Sequence, residues 1–89
     1  MTEPDHPGTD PRRRRLLYRA THRGTFENDL LLGGFVRDHL DVFTEDDLVA
    51  LETLMDWPDV DLADWLTGRR PIPDDAPAML KRIRASLIQ

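Results

Sequence analysis

HRGTFEND, residues 22–29, turns a run of basic residues into an apolar one. Gly24 can adopt the left-handed conformation that ends a helix, and the Thr25 hydroxyl can accept the free amides that begin another. Glu27 and Asp29 then fall in a first helical turn, where the positive end of the dipole favours carboxylates. The segment reads as a tight corner between two helices.

Working upstream, Asp10-Pro11 is a helix start, because the Asp side chain accepts free amides and Pro at the first position gives up no hydrogen bond. The first helix is expected from Pro11 to about Arg23. Its apolar content is Leu16, Leu17 and Ala20, with Tyr18 to one side, so it covers a core and does not form one. Residues 1–9, polar with two prolines and a glycine, are expected to be a disordered tail, leaving 10–89 as one domain.

Downstream, the second helix is expected from Phe26 to about Asp41. Leu30, Leu31, Leu32, Phe35, Val36 and Leu40 lie on nearly every side of it, which marks it as central. Gly33-Gly34 in its middle costs about 1 kcal/mol per glycine against alanine, so a neighbouring helix at close range or a partner should use the missing side chains. Thr44 followed by Glu45, Asp46 and Asp47 opens a third helix to about Asp56, with Leu48, Leu51, Leu54 and Met55 as its buried stripe. Trp57-Pro58 breaks it. In DVDLADWLTG a fourth helix buries Leu62, Trp65 and Leu66 and stops at Gly68; Trp57 is expected beside the core. Asp74 or Asp75 with Pro77 opens a fifth, whose Met79, Leu80, Ile83 and Leu87 face inward while Lys81, Arg82 and Arg84 face water. No alternating pattern suggests a strand. The expected fold is all-α, a small single-domain five-helix bundle.

The 89 residues carry 39% apolar and 33% charged side chains, ordinary globular usage. A chain this short buries about 60% of its unfolded surface, which leaves little room for a spacious internal active site. The absence of cysteine removes disulfides and thiolate chemistry and fits a reducing compartment, with the cytoplasm as the default. The longest apolar run, LLLGGFV, is far short of the ~20 residues that span a bilayer, and the acidic N-terminus reads as neither a secretory signal nor a transit peptide.

His6, His22 and His39 have no metal-ligand spacing, and no nucleophile elbow, phosphate loop or dinucleotide fingerprint is present. Carboxylates such as Glu27 and Asp29 perform acid/base chemistry only in a water-poor cleft, and helix capping accounts for them more simply. The net charge of −5 is distributed in blocks, with Arg12, Arg13, Arg14 and Arg15 together near the start. That run admits two readings: a frayed, solvated helix end, or a patch that neutralises phosphates. Arg23 is less easily explained by local structure. With Gly24 and Glu27 it is expected to project from an exposed corner, a cation and an anion beside bare glycine backbone, which suits contact with another protein.

Arg23-Gly24-Thr25-Phe26-Glu27 also fits an RGxxE signature, with Asp29 as the acid that commonly follows. Downstream come an acidic helix start, TEDD, and the segment DVDLADWL, which fits a D-x-D-L-x-x-W-L pattern. In this order and spacing, over roughly Arg14 to Leu87, the chain resembles the succinate dehydrogenase flavinylation factors, the SdhE-like five-helix proteins. The resemblance implies a bundle that is not itself an enzyme and has no cofactor of its own. It implies binding to the flavoprotein subunit of succinate dehydrogenase or fumarate reductase, a monomeric state, and promotion of covalent FAD attachment to a histidine of that partner. Carried over by position, Arg23, Gly24 and Glu27 would lie at the interface with Asp29 supporting them. Asn28 stands where such proteins often carry an apolar residue. The alternative is a helical nucleic-acid-binding or regulatory module using Arg12–Arg15, with salt-dependent binding as its signature.

Overall fold

The computed structural model describes residues 10–87, so the tail expected over residues 1–9 lies outside the described residues. Five α-helices follow in order: α1 Pro11–Thr21, α2 Phe26–His39, α3 Glu45–Leu54, α4 Asp59–Thr67 and α5 Ala78–Leu87. The fold is all-α, a bundle of 45 × 25 × 25 Å.

The helix starts follow the local chemistry. The Asp10 side chain accepts from the Arg13 amide at 2.8 Å, with Pro11 in the first position of α1. Thr25 opens α2 by accepting from the Asn28 amide at 3.3 Å. At α3, Thr44 and Asp47 cap each other's amides at 3.1 and 3.0 Å, a complete capping box. Three ends come earlier than the residue pattern suggests, with α3 stopping at Leu54 ahead of the expected Asp56. α1 stops at Thr21 because His22 leaves the helical region, and α2 gives way after His39 to a 3-10 turn, Leu40–Val42.

Leu16, Leu32, Leu51, Leu54, Leu62, Leu66, Leu80 and Ile83 are fully buried and draw on all five helices. Each such side chain contributes about 1.5–3 kcal/mol by leaving water. Trp65 is buried with Trp57 half-buried edge-on against it, ring centroids 5.2 Å apart, as helical spacing predicts. α1 and α2 form an antiparallel pair, and Gly33 is what lets them approach. A Cβ there would stand 2.8 Å from Thr21 Cγ2 and 3.0 Å from the Ala20 carbonyl. α2 is not buried on every side, however: Leu32, Phe35 and Val36 are buried while Leu30 is 57% exposed.

Candidate functional site

The corner between α1 and α2 is built from His22 to Thr25. His22 closes α1 with its ring stacked on Tyr18, centroids 4.0 Å apart, and its Nδ1 2.9 Å from the Tyr18 carbonyl. A carbonyl only accepts, so Nδ1 is the donor in this contact. Gly24 follows at φ +96°, with no heavy atom within 4 Å of where a Cβ would sit. Phe26 is 78% exposed despite opening a helix.

Arg23 does not project into solvent as the residue pattern suggests. Its side chain is only 10% exposed and turns inward across the α3–α4 junction. Nε donates to Asp59 Oδ1 at 2.7 Å, Nη1 to the Met55 carbonyl at 2.6 Å and Nη2 to the Trp57 carbonyl at 2.9 Å. The planar guanidinium thus satisfies two carbonyls that the end of α3 leaves open and one carboxylate at the start of α4. Asn28, fully buried, joins the same cluster: its Nδ2 donates to the Asp59 carbonyl at 2.9 Å and to Oδ1 at 3.2 Å. That contact is the physical reason for a polar residue at an inward position. Asn28 Oδ1 is buried without a partner among the described residues.

Asp29 supports the corner from the other side, accepting the Arg23 amide on Oδ1 at 2.6 Å. This bond pulls the chain off the α1 axis and sets the position of Gly24. Glu27 lies on the outer flank, paired with Arg69 at 2.9 Å, and Arg69 also holds Asp64 at 3.0 Å. The Arg69 guanidinium is held more firmly protonated than usual, first by Glu27 and then by Asp64. Arg23, Gly24, Glu27 and Asp29 are therefore one local assembly, with Arg23 and Asp29 inside it and Gly24 and Glu27 on its surface. Beside them Tyr18, Arg19, His22, Arg23 and Asp59 line an open depression of about 300 Å³. Such a surface matches a protruding group better than it encloses a reaction. Asp59 belongs to this site and was visible in the sequence only as the first acid of DVDLADWL.

The basic run is also different from expectation. Arg12 pairs with both Glu45 and Glu52, the latter at 2.8 Å. Arg13 donates to the Leu40 and Phe43 carbonyls at 3.1 and 2.6 Å and to Asp10 at 3.1 Å. These two guanidiniums tie α1 to α3 and to the 3-10 turn, so they are neither a frayed end nor a free phosphate-binding patch. Among the described residues no His, Cys, Asp or Glu group is arranged to hold a metal ion, and no helix is long and apolar enough to cross a membrane.

The corner and the helices around it coincide with a known family. A family model described as Sdh5, flavinator of succinate dehydrogenase, matches residues 14–87. The chain belongs to the Sdh5 family. Among similar proteins of this family, the FAD assembly factor SdhE of Acetobacter pasteurianus is 51% identical over 73 residues, 81% of this chain and 67% of that protein. The mitochondrial succinate dehydrogenase assembly factor 2 of Mycosarcoma maydis is 40% identical over 72 residues, 75% of this chain. Assembly factor 2-A of Drosophila ananassae is 36% identical over 87 residues, 92% of this chain. The matched part of these two mitochondrial Sdh5-family relatives is 30% and 53% of their own length. All three are named as assembly factors and not for a catalysed reaction.

Proposed function

We propose that this chain is an assembly factor that binds the flavoprotein subunit of succinate dehydrogenase or fumarate reductase through residues 23–29 and promotes covalent attachment of FAD. The FAD and the histidine that receives it belong to the partner. This chain contributes no atom to the bond.

The observation that carries this reading is the inward anchoring of Arg23 beneath an outward Gly24. A guanidinium with three strong acceptors fixes the corner to the α3–α4 junction, and Asp29 fixes the adjoining amide. The exposed tip, Gly24 to Glu27, is thereby presented in one shape and loses little freedom on docking. Gly24 and Glu27 make the contact, while Arg23 and Asp29 hold it in place. Bond formation needs the partner's nucleophile and flavin in near-attack geometry, and alignment of that kind supplies several kcal/mol of barrier lowering. A rigid wedge that binds only the aligned arrangement of the partner's domains raises its population. We further infer that it works as a monomer, without inserting into a membrane, in a reducing compartment such as the cytoplasm, in keeping with its lack of cysteine.

The test is to produce the flavoprotein subunit with and without this chain and to read covalent flavin fluorescence on a denaturing gel. Signal that depends on the chain is expected. Equal signal in its absence would overturn the proposal.

A further inference from the structure

We propose that the docking surface continues from the corner along the outer face of α2, where an apolar side chain of the same flavoprotein partner seats over Gly34 between Leu30 and Leu87. This inference rests on the reading of the corner as a flavoprotein-binding site.

Phe26, Leu30 and Gly34 follow one another at four-residue intervals, so they lie along one face of α2. Phe26 is 78% exposed and Leu30 57%. The two glycines at the centre of α2 are not equivalent. Gly33 is required by the close approach of α1, whereas a Cβ at Gly34 would meet nothing within 4 Å. Alanine there would favour the helix and clash with no neighbour, so nothing inside the fold calls for glycine. Leu30, Leu31, Gly34, Phe35 and Leu87 line a groove of about 250 Å³ between α2 and the end of α5, and Asp38 gives it a polar edge. Bare backbone at the floor, leucines on both sides and a charged rim form a seat for an apolar knob.

The size of the corner argues for the same occupant. A stable interface covers about 800 Å² on each partner, with some 20–30 residues a side. The exposed tip from Gly24 to Glu27 is a small fraction of that, so a flavoprotein held there must also touch adjoining surface. Phe26 belongs to both regions: it lies between Gly24 and Glu27 and one helical turn from Leu30. Exposed apolar area continuous with the corner is the extension that adds affinity without new polar groups to satisfy.

The experiment titrates purified flavoprotein subunit with the full chain as wild type, Leu30→Asp, Gly34→Gln and Glu27→Ala, alongside a thermal melt of each. Leu30→Asp and Gly34→Gln are expected to weaken binding by about tenfold or more with melting temperatures unchanged or raised. Wild-type affinity in both, with binding lost in Glu27→Ala, would overturn this extension and leave the corner standing. No binding by the wild type would overturn the corner reading and this surface with it. If Gly34→Gln melts lower, Leu30→Asp decides, since its site is already exposed.

Discussion

Arg23 reaches Asp59, 36 positions further along the chain, with Nε 2.7 Å from Oδ1. The bond ties the corner between α1 and α2 to the start of α4, and the remaining guanidinium nitrogens close the gap on the carbonyls of Met55 and Trp57. Arg23 therefore holds the corner, the proposed docking surface, from beneath it.

Arg23→Ala should destabilise the fold by about 3 kcal/mol, because it leaves the partly buried Asp59 carboxylate with only the Asn28 amide and two carbonyls without their donor. That is a large share of the roughly 5–10 kcal/mol available to a domain of this size. Arg23→Lys should recover little, since a single ammonium cannot reproduce the fork. Urea unfolding followed by circular dichroism measures both, and a Lys variant as stable as wild type would contradict the clamp.

Gly24→Ala should cost about 1–2 kcal/mol through its backbone alone, since φ is +96° and no side chain is in the way. Gly24→Asn should cost less, asparagine tolerating the left-handed region better. The same urea midpoints rank the three residues, and an order other than Gly, Asn, Ala would show that the corner relaxes. Loss of function in a bulky Gly24 variant is therefore interpretable only beside its stability.

The paired glycines of α2 should respond oppositely to alanine. Gly33→Ala forces a methyl against Thr21 and the Ala20 carbonyl and should cost about 1–3 kcal/mol. Gly34→Ala should stabilise by up to about 1 kcal/mol. Thermal melts of the two single variants check the sign of each.

Acid should weaken the fold through Asp47 and Glu52. The Thr44 amide is the chief cause that holds Asp47 below its ordinary value, and the Arg12 guanidinium does the same for Glu52. Both groups bind protons less readily folded than unfolded, so their contribution is complete above their ordinary carboxylate values, about 4, and is lost as pH falls through the lowered ones. Urea midpoints at pH 7, 5 and 3.5 should decline in that window, and less steeply in Asp47→Asn/Glu52→Gln.

The helix caps and the corner were legible in the sequence because their chemistry is local: Thr25 caps Asn28 and Thr44 caps Asp47 within three residues. The inward turn of Arg23 was not, because two of its acceptors are backbone carbonyls of the distant Met55 and Trp57, which carry no side-chain signature. The same holds for Arg13, which donates to the carbonyls of Leu40 and Phe43. Leu30 and Leu32 look alike in a run of three leucines, yet one is exposed and the other buried, a distinction made by how α1, α4 and α5 pack on α2. Gly33 and Gly34 are separated in role by the same packing.

The most direct measurement is covalent flavin fluorescence of the flavoprotein subunit on a denaturing gel, produced with the wild-type chain, with Glu27→Ala or with Arg69→Ala. Both variants remove the same exposed ion pair, which contributes at most about 1 kcal/mol, so both should remain folded. Only the first removes the carboxylate proposed to meet the partner. The account predicts that fluorescence is lost with Glu27→Ala and kept with Arg69→Ala; full signal with a folded Glu27→Ala chain would contradict it.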